Sequence, residues 1–245
     1  MNNNYICVFD FETGGINVKR GPDNKEAEPL QIGALILDPR RLTIVDEYES
    51  LMAPLRPDLV NPVALEVNHL TLDQVKAARH PRIVWKEFVR WVKQYQKKAS
   101  PWDYPIAAGY NIRTFDSHIV QNLCVDYGPA SDNKDTGEKE QDVFHRLYSI
   151  DLMDYVWLLM ENSNCLTPFT EKQTKHDIKL TTIAKWMGIA FNDAHTALGD
   201  VRVTAAIIAR LLRLNRSLLG DGIDSGRTKF HNAFGGQTAK EYLTP

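Results

Sequence analysis

Residues 5–13 read YICVFDFET. Tyr5–Phe11 is a short apolar run of β-type residues and predicts a buried central strand. Asp10 and Glu12 stand two apart at its end. A strand's period of two puts both carboxylates on one face and Phe11 on the other. Two acids leaving an apolar strand side by side repel each other and lose solvation, and a divalent cation relieves both penalties. D-x-E is a short motif, and it also fits two acids at the start of a loop.

Outward from this strand, Ile16–Pro29 is a polar insertion punctuated by Gly and Pro. Leu30–Leu37 predicts a second strand and Leu42–Met52 a third, with the turn Asp38-Pro39-Arg40 between them making a hairpin. Thr71, with Leu72, Asp73 and Gln74 after it, predicts a helix start. Within Pro81–Lys98, Val84, Phe88, Trp91, Val92 and Tyr95 recur at helical spacing, and Pro is tolerated in the first turn. Ile106–Gly109 predicts a short fourth strand. Phe115–Tyr127, Leu152–Met160, Leu180–Met187 and Thr196–Leu214 predict helices. Gly128–Arg146 predicts a polar surface loop. Strands first, then strand–helix alternation, imply one α/β domain with a mixed sheet, expected over 1–215. From Asn215 on, Gly, Ser, Thr and Asp accumulate, and 216–245 is expected to be a loosely packed tail.

The chain has 245 residues, 43% hydrophobic and 24% charged, which is the composition of an ordinary globular protein and not of a disordered one. Its 29 Lys+Arg against 31 Asp+Glu give a net charge of −2, which excludes a histone-like binder. Nucleic acid stays open as a substrate, because charge can be clustered. Lys76–Lys98 holds eight basic residues (Lys76, Arg79, Arg82, Lys86, Arg90, Lys93, Lys97, Lys98) and one acid, Glu87. Arg202, Arg210, Arg213 and Arg216 add a second basic stretch. Both fit a phosphate track or a solvated helix face. Trp85 and Trp91 fit base stacking or the core. Cys7, Cys124 and Cys165 form no CxxC pair, so reduced thiols are expected rather than a zinc site or disulfides. The N-terminus lacks a basic n-region, and the longest apolar run, Tyr155–Met160, is too short to span a bilayer. A cytoplasmic protein without a membrane partner is expected.

Two further motifs join D-x-E. Asn111-Ile112-Arg113-Thr114-Phe115-Asp116 places an acid where a strand hands over to a helix. Ala194-His195-Thr196-Ala197-Leu198-Gly199-Asp200 opens the last long helix. Taken singly, Asp116 and Asp200 fit acids at helix N-termini, and His195 a structural histidine. Together and in this order, D-x-E, N-x-x-x-F-D and A-H-x-A-x-x-D resemble the DEDD superfamily of 3′–5′ exonucleases, the DnaQ-like group with the RNase H-like fold. The His-to-Asp spacing is that of the DEDDh branch; the DEDDy branch would place Tyr where Thr196 stands. Leu30-Gln31-Ile32-Gly33-Ala34 is similar to the second strand of the epsilon proofreading subunit of DNA polymerase III, with Gln31 in place of the usual Glu. The spacing of N-x-x-x-F-D and the stretch Asp193–Thr204 are closer to the nuclease domain of bacterial exonuclease I, whose accessory domains this chain is expected to lack.

The resemblance implies a three-layer fold with a mixed five-stranded central sheet flanked by helices. It implies two divalent cations, Mg²⁺ or Mn²⁺, with Asp10, Glu12 and Asp200 on the first, Asp10 reaching the second, and Asp116 supporting it. His195 would be the general base, and nucleoside 5′-monophosphates the products. The substrate would be nucleic acid with a free 3′ end, single-stranded DNA ahead of RNA. Thr13, Gly14, Ile16, Val67, Asn68, Asn111 and Phe115 are the candidate contacts to it. A simple turn at Thr13–Gly14, a core role for Ile16, Val67 and Phe115, and a loop role for Asn68 are the alternatives. Gln237–Leu243 weakly resembles a sliding-clamp-binding peptide, which would imply a polymerase or replication partner. An exoribonuclease, a non-catalytic nucleic-acid-binding module and a small-molecule phosphatase are the competing functions. The last lacks the Gly-rich phosphate loop such enzymes use.

Overall fold

A computed structural model of the chain describes residues 4–23, 25–98, 100, 102–134, 136–137, 139–161, 178–190 and 196–219. The chain divides into two compact units, Met1–Ala205 and Ala206–Pro245. In the second, residues 206–219 are helical. The sheet and the candidate site belong to the first.

The strands are β1 (Ile6–Thr13), β2 (Pro29–Leu37), β3 (Ile44–Leu51), β4 (Ile106–Gly109), β5 (Ala130–Asp132), β6 (Lys139–Gln141) and β7 (Ser149–Asp151). The helices are α1 (Pro62–Val67), α2 (Leu72–Lys76), α3 (Pro81–Lys93), α4 (Asp116–Tyr127), α5 (Leu152–Glu161), α6 (Leu180–Trp186) and α7 (Ala197–Leu219). The main sheet has the order β3-β2-β1-β4-β7. β2 pairs antiparallel with β1 and β3, while β4 runs parallel to β1 and β7. The sheet is therefore mixed, with the apolar run of residues 5–11 at its centre.

Alternation along β1 sorts the two faces. Cys7, Phe9 and Phe11, with Ile32, Ala34 and Ile36 of β2, share a buried cluster with Val84, Trp85, Phe88 and Val92 of α3 and Ile119, Val120 and Leu123 of α4. The opposite face carries Ile6 and Val8, then Asp10 and Glu12. On that face the start of α7 lies against Gly33 of β2. Helices thus cover both sides of the five-stranded sheet. Polar anchors fix α3: the Trp91 indole N–H and the Tyr95 hydroxyl both donate to Asp46 Oδ2, at 2.7 and 2.6 Å. The Trp85 indole N–H donates to the Gly128 carbonyl at 2.8 Å. Both tryptophans are core residues.

Some expectations need correction. The segment 128–146 is not wholly a surface loop. It forms the β5–β6 hairpin, and Val143, Phe144 and His145 are buried. Phe144 stacks on Phe9 with centroids 5.0 Å apart, a pairing worth about 0.5–1.5 kcal/mol beyond its burial. The segment's polar average hides these residues. Helix α3 ends at Lys93 and not Lys98, because the Lys97 amide bonds the Asp103 carbonyl and folds the chain back toward β4. Helix α7 runs past Leu214 to Leu219, since Asn215, Arg216 and Ser217 include no helix breaker. Sequence reading missed α1, capped by Asn61, and β7, which has three residues. Cys7 and Cys124 are buried free thiols, and burial pushes the Cys124 thiol up to about 12. Among the described residues, no helix is long and apolar enough to cross a membrane.

Candidate active site

The C-terminal end of β1 carries the site. Asp10 and Glu12 sit opposite Gly33 and Gln31 of β2. Asp200 comes from the first turn of α7. One carboxylate oxygen from each of Asp10, Glu12 and Asp200 falls within 4.8 Å of the others. The start of α7 is fixed by Thr196, whose hydroxyl accepts the Gly199 amide at 3.1 Å. It also needs Gly33. A Cβ there would lie 2.5 Å from the Leu198 amide nitrogen and 2.8 Å from the Ala197 carbonyl oxygen. The missing side chain is what lets α7 rest on the sheet beside Asp10.

Asp116 is 1% exposed at the start of α4. Its Oδ1 accepts the amide of Phe11, the residue between Asp10 and Glu12, at 3.0 Å. The loop leading to it is held by Asp151, at the end of β7. Asp151 Oδ1 accepts the amides of Asn111 and Met153 at 2.9 and 3.1 Å, and Oδ2 accepts that of Arg113 at 3.0 Å. Asn111 sits at φ 62° inside this clamp, and its side-chain oxygen accepts the Thr114 hydroxyl. Sequence reasoning missed Asp151. Its signal was an acid directly before the apolar run Leu152–Met160, the pattern of a helix N-cap.

The cluster is electrostatically loaded. Burial, then Asp116, Glu12 and Asp200, push the Asp10 carboxyl well above the usual carboxylate range. Burial and Asp200 push Glu12 up to about 7. Asp116 is raised chiefly by burial, with the Phe11 amide working the other way. Grouped carboxylates that hold their protons this firmly are what a divalent cation would replace protons on. The donors are all carboxylate oxygens, the ligands that hard divalent cations take, so the residues present fit such an ion.

The remaining predicted residues divide into braces and exposed positions. Thr13 and Asn68 are 6% and 7% exposed, and the Asn68 side-chain amide donates to the Thr13 carbonyl at 3.1 Å. The Thr13 hydroxyl donates to the Gly15 carbonyl. The Gly14 amide donates to Glu28 and its carbonyl accepts the Asn61 amide. Phe115 packs partly buried against the core. Ile16 and Val67 are exposed, 92% and 48%, which excludes a core role for both. Ile16 lines a groove of about 220 Å³ together with Gly14, Gly15, Leu59, Val60 and Asn61, among others. The insertion 16–29 is tied down by Arg20 on Glu26 and Asp126, at 2.9 and 2.7 Å, and by Arg56 on Glu28 at 3.2 Å. His195, Cys165 and the segment Gln237–Leu243 lie outside the described residues.

A family model described as RNase_T exonuclease matches residues 7–208. No curated protein sequence matches the chain. Among solved structures, Escherichia coli exonuclease I in complex with a dT13 oligonucleotide aligns with TM-score 0.62 and 17% identity, over 94% of this chain and 46% of that one. The moderately thermophilic exonuclease I of Methylocaldum szegediense aligns with TM-score 0.63 and 19% identity, over 98% and 44%. An exonuclease I bound to the C-terminal segment of SSB aligns with TM-score 0.63 and 17% identity, over 89% and 44%. At these identities the likeness shows the RNase H-like fold, and the chain spans less than half the length of these proteins.

Proposed function

The chain belongs to the exonuclease family, as a DEDDh-type, DnaQ-like 3′–5′ exonuclease, and from this premise we propose that it removes nucleotides from the 3′ end of single-stranded DNA and releases nucleoside 5′-monophosphates. The observation that carries the proposal is the convergence of Asp10, Glu12 and Asp200 within 4.8 Å, with Asp116 bonded to the peptide between the first two.

Asp10, Glu12 and Asp200 would hold one divalent cation, Mg²⁺ or Mn²⁺. Asp10 and Asp116 would serve a second. When bound, a metal pair supplies a nucleophile near neutral pH and stabilises the leaving 3′ oxygen. The chain's own residues do the rest. His195, by family resemblance, takes the proton from the attacking water, a role suited to a group titrating near the working pH. Asp116 fixes the β1 backbone through the Phe11 amide, so that Asp10 and Glu12 keep their spacing. Thr13, Gly14 and Asn68 brace the end of the strand where the terminal nucleotide would lie, and Asn111 and Phe115 lead into Asp116. Ile16 and Val67 offer exposed apolar surface to the last bases. The exonuclease domain is assigned to 1–215. That solved exonuclease I binds a dT13 oligonucleotide favours DNA as the substrate class.

The test is a time course with Mg²⁺ on DNA and RNA oligomers of the same sequence carrying 5′ labels. The proposal expects stepwise shortening of both labelled series from the 3′ end, faster on DNA. Faster removal from RNA would transfer the assignment to an exoribonuclease.

A further inference from the structure

Helix α3 buries Val84, Trp85, Phe88, Trp91 and Val92 against the sheet side. Its outer face is built of cations. Arg82, Lys86, Arg90 and Lys93 are all exposed. Steps of four, four and three residues at about 100° each hold them within an arc of about 80°, over an axial length of about 16 Å. They form one continuous basic stripe.

The stripe is unneutralised. Elsewhere in 1–205, Arg20, Arg56, Arg79, Arg113, Arg146 and Arg202 each have a carboxylate within 4.0 Å. Among the described residues, none of Arg82, Lys86, Arg90 and Lys93 does. Glu87, the acid on the same helix, is taken by Arg79 at 2.5 Å. The helix beneath is rigidly set, with Trp85 and Trp91 both bonded through their indole N–H groups. A stripe of cations on a fixed helix, without acids between them, fits a regular polyanion better than an acidic peptide of varied shape.

Its place in the fold favours nucleic acid. Glu12 pairs with Gln31, and Gln31 with Leu51. Two strand spacings of about 4.8 Å put Leu51 roughly 10 Å from Glu12. Met52 then bridges to Arg79, directly before α3. Because α3 covers the face of the sheet opposite the carboxylates, a strand whose 3′ end lies at the carboxylates meets the stripe by passing round the β3 edge, beside Arg79.

We infer that the outer face of α3 is a phosphate-binding track for the body of the single strand, 5′-ward of the nucleotide being removed. This rests on the exonuclease reading above. The track would add affinity for long substrates and leave the chemistry at the 3′ end unchanged.

The test uses the full chain with Lys86→Glu and Arg90→Glu combined, and a milder pair, Lys86→Gln with Arg90→Gln. Binding of 5′-fluorescent oligothymidylate is read by anisotropy in EDTA, with a long oligomer of about 20 nucleotides, above the usual site size, and a short one of about 4. The charge reversal is expected to weaken the long oligomer at least tenfold at low salt. Loss of two phosphate contacts lowers the log–log salt slope by about 1.4 on a single strand. The neutral pair should shift both in the same direction by less. Affinity for the short oligomer, and the rate of nucleotide removal from it with Mg²⁺, should stay at wild-type values. Unchanged long-oligomer affinity and salt slope in both variants would overturn the track, whether or not the enzyme cuts. So would wild-type binding to phosphatidylserine vesicles that is lost in the variants while oligomer binding is not. A wild-type chain that shortens no oligomer, yet loses long-oligomer binding in the variants, would overturn the exonuclease reading alone.

Discussion

The Phe11 amide donates a 3.0 Å hydrogen bond to Asp116 Oδ1 across a separation of 105 residues. The donor peptide lies between Asp10 and Glu12, so three of the four acidic residues are tied through a single contact. The bond couples the central strand to the start of α4, and it lowers the charge cost of burying Asp116.

Asp116→Asn should keep this contact, because the amide oxygen can still accept from Phe11, while removing the charge. The fold and melting temperature are expected to hold, and hydrolysis to fall at least about 100-fold, as for other groups acting at the reaction centre. Asp116→Ala should lose activity and also about 1–3 kcal/mol of stability, the cost of an unpaired buried amide. Melting curves beside single-turnover rates separate the two effects. Full activity in the Asn variant would remove Asp116 from the site.

Gly33→Ala should displace the start of α7. The new Cβ would press on the peptide joining Ala197 and Leu198, and overpacking of this kind costs about 1–3 kcal/mol. Asp200 moves with the helix, so apparent Mg²⁺ affinity should drop while the circular dichroism spectrum stays native. Gly14→Ala is the control, since its Cβ would meet the Val60 side chain at 3.3 Å, a neighbour that can yield. Equal Mg²⁺ affinity in the wild type and both variants would contradict the account of Gly33.

Without metal, stability should fall as pH rises. Glu12 has its pKa raised from 4.5 to about 7 in the folded chain. A carboxylate raised in this way favours the protonated folded state. Its stabilising contribution is complete below the unfolded value and is lost as pH climbs through the folded one. Asp10 and Asp116 act in the same direction. The melting temperature in EDTA should therefore decline as pH rises from about 4 to about 8. Mg²⁺ should raise it more at pH 8 than at pH 5, because the cation competes with protons for these oxygens. A Mg²⁺ effect independent of pH would contradict this.

Much of this was legible in the sequence, for identifiable reasons. β1 and β2 were legible as short apolar runs, buried on both faces, β3 from the turn that precedes it, and α3 from apolar residues at helical spacing. Asp10 and Glu12 were paired because side chains two apart on a strand share a face, whereas Asp200 joined them through the resemblance of the ordered motifs, and the structure brings the three within 4.8 Å. Asp151 was not found, since its role is to accept backbone amides from a loop forty positions away, and no side-chain pattern records that. Phe144 was hidden for a similar reason. A polar neighbourhood in sequence says nothing about which residue turns inward to stack on Phe9. Asn68 was read as a loop residue or a substrate contact, and its amide is occupied by Thr13. The basic stretch of residues 76–98 was ambiguous until the ion pairs separated Arg79 from the unpaired face of α3.

The most direct test of the central claim, that the β1 carboxylates hold the metal that cuts the strand, follows a 5′-labelled single-stranded DNA oligomer with wild-type chain and with Asp10→Asn, each in Mg²⁺ and in EDTA. The account predicts a ladder shortening one nucleotide at a time from the 3′ end for wild type in Mg²⁺. It predicts intact oligomer in the other three reactions, with the variant still folded. A ladder from Asp10→Asn matching that of wild type, or one that persists in EDTA, would contradict it.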